Sequence, residues 1–411
     1  MEDKIVSKAS NFEKRILFAK PVHGKEEIDA VMESLKSGWL GPGEITIKFE
    51  KKFNSMIGKK YGVLLNSGSS ANLLSVLSLC LPPGSEIITP ACTFPTTLNP
   101  ILQSGCIPVV GDVELNTYNI DISKVEELIS SKTRAIIAPH ALGSPLDTYK
   151  LREICNHHQL KLIEDSCDTV GTKINDHYTG YYGDVGTFSF YASHHLTLGG
   201  GGGMIVTDNE EIVKHIKSYK DWGRADEFQK YWTNEGEDFH RRFTHEVDNI
   251  FYDSKYTYNH IGYNFKMVEM QAAFGLAQLA KLQEFNKIRD RNVKQLAGFL
   301  SDYQDLFILP SYPKHTYPSY LAYPITLQDN APFARYELLE YLENNGIQTR
   351  LLFAGNILRH DAYKNIQYRK AESLANSDKI MRDTFLVGIH QGISEEDMDY
   401  MCEIFLGFLK S

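Results

Sequence analysis

Between about residues 60 and 220, short apolar runs alternate with longer stretches in which apolar positions recur every three or four residues. The short runs are YGVLLNS, EIITPA, IPVVGDV, RAIIAPH, LKLIEDS, GTFSFY and GMIVTD. Their brevity and β-branched content predict strands and not buried helix. SSANLLSVLSL and LREICNHHQ, which lie between them, carry helical spacing. Such alternation predicts an α/β protein with a mostly parallel central sheet covered on both faces. Ligands on sheets of this kind bind beyond the carboxyl ends of the strands.

The flanks read differently. KEEIDAVMESLKSG predicts a helix closing at Gly38. Residues 223–260 are polar and aromatic without a period, and so long an irregular stretch is either functional or disordered. MVEMQAAFGLAQLAKLQEFNKIRDRNVKQLAGFLSDY predicts one long helix. It leads into a smaller C-terminal α/β unit with strands at LAYPITL and QTRLLF and a closing amphipathic helix at SEEDMDYMCEIFLGFLK. The expected division is an N-terminal arm (1–20), a large domain (21–285) and a small domain (286–411). No internal repeat or low-complexity linker is present.

Composition narrows the function classes. The chain has 411 residues, 42% of them hydrophobic, enough for a large core. No run approaches the ~20 apolar residues of a membrane span. The charged start MEDKIVSKASNFEKR lacks an apolar stretch, so a secretory signal is not expected. A net charge of −9 argues against nucleic acid as a partner. The six cysteines form no C-x-x-C pair, and several sit in apolar runs, such as Cys80 in VLSLCL. Buried free thiols in a reducing cytoplasm are the expectation, with no metal site.

Several strand ends carry residues suited to chemistry. In LLNSGSSANLL a strand runs into Gly68 and Ser69, where a helix begins. The first-turn amides and the helix dipole make an anion site, although a capped helix after a strand is common without one. LKLIEDSCDTVG delivers Glu164 and Asp165 to a strand end, with Asp168 three residues on. A carboxylate there suits a protonated ring nitrogen, or serves as an ordinary cap. FSFYASHH supplies Ser189, a further hydroxyl for a phosphate, and His194 and His195, imidazoles able to move protons near neutral pH. Gly199 to Gly203 follow, permitting close backbone approach or a tight turn. Phe94 in ACTFPTT could stack on an aromatic ring or belong to the core. Tyr258, His260 and Asn264 form a polar–aromatic cluster before the long helix. Arg350 in GIQTRLLFAGN could hold an anionic substrate group or make a surface ion pair.

The ordered set NSGSSAN, ACTFP, EDSCD, SFYASHH, HIGYNFKMVEMQAA and TRLLFAGN resembles the sugar aminotransferase and dehydratase family of pyridoxal-phosphate fold type I. The resemblance runs from about residue 20 to the C-terminus and implies the aspartate aminotransferase-like fold. His194 stands where that family carries its Schiff-base lysine, as in the family's nucleotide-sugar 3-dehydratases. Those enzymes use pyridoxamine 5′-phosphate and discard the covalent tether. By resemblance, Gly68, Ser69 and Ser189 hold the phosphate, Asn264 reaches in from a partner subunit, Phe94 stacks on the ring, and Asp165 meets its nitrogen. Apart from the resemblance, Asp168 could reach the ring hydroxyl or be an ordinary loop carboxylate, and His195 and Arg350 are candidates to face the substrate. His194 is then the acid–base group, for which a pKa near working pH suits both proton steps.

The implied reaction is loss of the C3 hydroxyl from a GDP- or CDP-linked 4-keto-6-deoxyhexose, on the route to 3,6-dideoxysugars of lipopolysaccharide O-antigen. The resemblance also implies L-glutamate as the amino donor and a homodimer with shared active sites. An aminotransferase and a non-catalytic binding protein are the alternatives, the latter disfavoured by the retained Asp165 and Ser189. Two departures matter. The iron–sulfur branch of the family is cysteine-rich after DWGR, whereas DWGRADEFQKYWTNEGEDFHRRFTHEVDN contains no cysteine, so no cluster is expected. Gly200 stands where related chains often carry an acidic residue.

Overall fold

The computed structural model describes residues 14–225, 243 and 245–410. Each of the seven apolar runs forms a strand. The first five are β1 (Tyr61–Leu65), β2 (Glu86–Pro90), β3 (Ile107–Gly111), β4 (Thr133–Pro139) and β5 (Lys161–Asp165). Strands Val185–Ser189 and Gly203–Thr207 follow. With Arg369–Lys370 they make an eight-stranded sheet. Only Gly203–Thr207 runs against the rest, pairing antiparallel with both β1 and Val185–Ser189.

Both faces of the sheet are covered because successive residues of each strand point to opposite sides. Val63, Leu65, Ile87 and Ile137 pack with Leu74 and Ile101 of the helices Gly68–Leu77 and Pro95–Gln103. Their neighbours Ile88 and Ile136 face Val125, Leu151 and Cys155 instead. Leu64 and Phe188 meet Phe49 and Phe53, and the Phe53 and Phe188 rings lie edge to face at 4.9 Å.

A second, four-stranded antiparallel sheet has the order Phe307–Ile308, Ala322–Leu327, Thr384–Gly388, Thr349–Arg350. The helix Glu269–Leu300 serves both sheets. Its Leu279, Leu282 and Phe285 pack beside the large sheet, while Leu296 and Leu300 pack beside the small one. The irregular stretch 223–260 contains an exposed hairpin, His245–Val247 with Ile250–Tyr252. Among the described residues no helix is long and apolar enough to cross a membrane. Cys92, Cys106 and Cys155 are buried free thiols, but Cys80 is exposed, its sulfur 3.4 Å from His215 Nδ1. It takes φ +50° just past the end of its helix, which turns it outward from the apolar run.

Candidate active site

The carboxyl ends of β1, β2, β4, β5 and Val185–Ser189 open into one cavity of about 700 Å³. Leu321, Gln348, Arg350 and Phe353 close it from the C-terminal part of the chain. Phe18 and Ala19 close it from the N-terminal part. The sequence places Gly68, Ser69, Phe94, Asp165, Asp168, Ser189, His194 and Arg350 in this space, and all eight line it.

At one end Ser67 caps the helix Gly68–Leu77 by accepting from the Ser70 N–H at 3.1 Å. Gly68 lies so close to the strand end that a Cβ there would come within 2.6 Å of the Ser189 Cβ. The free first-turn amides, the positive end of the helix and the Ser189 hydroxyl thus converge on one point, a cradle for a phosphate. Across the floor, the Asp165 carboxylate accepts from Asn72 Nδ2 at 2.7 Å and Thr97 Oγ1 at 2.8 Å. Phe94 is half exposed at the start of its helix and packs edge-on against Phe353, ring centroids 6.1 Å apart.

His194 is held by its own loop. Its Nδ1 lies 3.4 Å from the Ser189 carbonyl, which can accept a hydrogen bond from the ring N–H. Nε2 lies 3.7 Å from Asp168 Oδ1. Burial pushes the His194 pKa down to about 4, against the Ser189 bond that favours the cation. The expectation of a value near working pH is therefore corrected: burial favours the free base of the resting imidazole. Burial and the nearby Asp165 charge push Asp168 up to about 7, and the Leu142 backbone N–H pulls the other way. Burial and both aspartates raise the Cys167 thiol well above its ordinary value, so it stays protonated.

Two of the named residues, His195 and Asn264, do not line this cavity. His195 is fully buried and bonds through Nε2 to the Ser319 carbonyl at 2.8 Å, so it faces away from the cavity and touches no substrate space. Adjacent residues of a tight loop point to opposite sides, which the doublet HH does not reveal. Asn264 is exposed outside the cavity and bridges backbone to backbone with Asp221. Residues not anticipated also line the wall, among them Asn72, Thr97, His140 and Tyr191. His140 follows β4, and the strand-end rule alone could have found it. Its Nε2 donates to Glu164 at 3.2 Å while Nδ1 accepts from the Leu146 N–H at 3.0 Å. Burial would raise the Glu164 carboxyl, but His140 and the amides of Gly180 and Gly183 outweigh it and hold it below its usual range.

A small-residue phosphate cradle, a shielded carboxylate opposite it and a flanking aromatic fit pyridoxal or pyridoxamine phosphate. The fold and site define a pyridoxal-phosphate-dependent enzyme of fold type I. Residues 21–406 match the DegT/DnrJ/EryC1/StrS aminotransferase family, and the chain belongs to it. It is 40% identical over 397 residues to the lipopolysaccharide biosynthesis protein RfbH of Salmonella typhimurium, covering 94% of this chain and 90% of that one. It is also 40% identical over 392 residues to the dTDP-4-dehydro-2,6-dideoxy-D-glucose 3-dehydratase of Saccharopolyspora spinosa, covering 92% and 83%. The crystal structure of the E. coli GDP-4-keto-6-deoxy-D-mannose 3-dehydratase with bound hydrated pyridoxal phosphate superposes with a TM-score of 0.86 at 28% identity, covering 95% and 99%. Among the described residues no group of three or more His, Cys, Asp or Glu could hold a metal ion. The cysteine-free stretch after DWGR lies largely outside the described residues.

Proposed function

We propose that this enzyme is a pyridoxamine-phosphate-dependent 3-dehydratase of a nucleotide-linked 4-keto-6-deoxyhexose, with His194 as the acid–base group. One observation carries the reading: among the described residues no lysine lines the cavity, and His194 does. Bound pyridoxamine phosphate would supply an amine for the sugar ketone and a ring that accepts an electron pair.

The chain's own residues supply the rest. Ser67 to Ser69 and Ser189 bind and orient the phosphate. Asp165 keeps the ring nitrogen protonated. His194 Nε2 takes a proton in its resting free-base form. Asp168, 3.7 Å away, stabilises the imidazolium so formed when its carboxyl is ionised, until the proton passes to the departing C3 hydroxyl. Arg350 stands at the mouth, its guanidinium 5.5 Å from the Phe18 ring centroid, placed for an anionic nucleotide. The 3-dehydratase names borne by relatives support the same substrate class.

A homodimer accords with the exposed apolar residues Trp39, Leu40, Ile261 and Val268 around the start of the long helix, close to Asn264. In that arrangement Asn264 serves the partner's phosphate. L-glutamate as amino donor and a cytoplasmic setting complete the reading. A pyridoxal-phosphate aminotransferase is the second reading, favoured by the 27% identity to the GDP-perosamine synthase of Caulobacter vibrioides. Mass spectrometry of products from GDP- and CDP-linked 4-keto-6-deoxyhexoses with glutamate tests both. Loss of the C3 oxygen with release of ammonia supports the dehydratase. A stable amino sugar overturns it.

A further inference from the structure

His195 forms no wall of the cavity, yet its imidazole is tightly held. Its Nε2–H donates to the Ser319 carbonyl, and Nδ1 has no partner. A second proton would place a buried N–H on Nδ1 without an acceptor. Burial, with Arg289 adding its charge, pushes the pKa well below the ordinary value. His195 is therefore a neutral donor, unsuited to proton transfer.

The carbonyl it grips belongs to the strap 319–321, which is clasped from three other directions. Arg289, buried in the long helix, donates through Nη1 to the carbonyls of Tyr320 at 3.1 Å and Leu321 at 3.0 Å. Thr172 Oγ1 accepts from the Ser319 N–H at 2.9 Å and donates to the Gly143 carbonyl at 3.2 Å. The Leu321 N–H donates to the Leu142 carbonyl at 2.8 Å. Gly143 has φ +89°, and a Cβ there would overlap the Ser319 carbonyl, so the turn and the strap meet backbone to backbone. The backbone N–H of Leu142 in turn steadies the Asp168 carboxylate. One strap is thus tied on one side to the neighbour of His194 and on the other to the support of Asp168.

We propose that His195 is a positioning residue: by tethering the His194 loop to the strap 319–321, it sets the separation of His194 and Asp168. The proposal rests on His194 as the proton-transfer group. The charged groups facing His194 are Asp165 and Asp168 from the β5 end and Arg289 from the long helix. A loosened loop lets water reach the His194 ring and moves Nε2 off its line. A shift of about 1 Å in such a group costs about 10²-fold in rate.

Three variants test it: His195→Leu, His195→Gln, which keeps an N–H for Ser319, and the near-isosteric Thr172→Val, which unties the strap outside the cavity. His194 is titrated by nitrogen-edited NMR in the protein as isolated, and turnover is measured with nucleotide-linked 4-keto-6-deoxyhexoses. In His195→Leu and Thr172→Val the His194 titration moves up toward 6.5 by about one unit. In both, kcat falls about tenfold or more while KM stays within about twofold. His195→Gln restores both readouts. Unchanged His194 titration in the first two variants, or a glutamine variant that behaves like the leucine one, overturns the proposal. Should no nucleotide sugar turn over, the titration still decides the positioning role, and only the functional reading fails.

Discussion

His194 and Asp168 face each other across 3.7 Å at the floor of the cavity, and burial drives their proton affinities in opposite directions. The imidazole becomes harder to charge and the carboxyl harder to ionise, since each loses water from its charged form. Burial thus shifts both members of the pair toward their neutral forms.

The opposed shifts predict a pH signature of stability. Asp168 binds its proton more tightly in the folded state, about 7 against 3.8, so its contribution falls as pH rises through that window. His194 binds its proton more weakly, about 4 against 6.5, so its contribution grows as pH rises through an overlapping window. In the wild type the two largely offset. Asp168→Asn leaves the histidine effect alone, and its melting temperature relative to wild type should climb between about pH 4 and pH 7 by about 2–4 °C. Melting scans across that range check it; a flat difference would mean the carboxyl ionises normally.

Catalysis should follow the same group. With His194 near 4, the acid limb of kcat/KM is expected near pH 4 and not near 6.5. His194→Asn should lower kcat by about 10²–10⁴-fold. His194→Lys should hold the coenzyme covalently, so that borohydride fixes it to the variant and leaves wild type unlabelled. Dehydration at full rate in the lysine variant would remove His194 from its assigned role.

Asn72 is a strut behind the Asp165 carboxylate. It donates to Asp165 through Nδ2 and accepts from Thr187 Oγ1 at 2.6 Å. Asn72→Leu leaves both partners buried without it and should cost about 1–3 kcal/mol of stability. Coenzyme affinity should fall as well, which equilibrium dialysis of the folded variant measures.

Glu86 and Arg369 join β2 to the late strand Arg369–Lys370. The guanidinium donates to both carboxylate oxygens at 2.8 Å. That fork, with help from Ser130 and against burial, holds the Glu86 carboxyl down at about 2. Arg369→Met should cost about 1–3 kcal/mol, below the ~3–5 kcal/mol of a fully buried pair because the arginine is 40% exposed. The ion pair's contribution is present above pH 4.5 and lost as pH falls toward 2, so variant and wild type should converge in acid melts.

Much of the large sheet was legible because each strand is a short apolar run bounded by polar turns. That Gly68, Asp165 and Ser189 would meet in one cavity was legible because strand ends dictate where ligands sit. Thr384–Gly388 escaped notice although it is wholly buried, since TFLVG follows a helix without a turn signal. Arg369–Lys370 has no apolar pattern at all, and its place beside β3 is set by the ion pair and backbone ladder. His195 was misplaced because periodicity does not say which of two neighbours turns inward. Arg289 was passed over because an arginine in a helical pattern reads as solvated surface, whereas here it is fully buried.

The return of Arg369–Lys370 to β3 has a consequence for dissecting the chain. A fragment ending near residue 285 would lack this cover and leave the β3 ladder unpaired along one side. Bare ladders recruit other chains. Such a fragment should self-associate on expression, whatever the integrity of its remaining core.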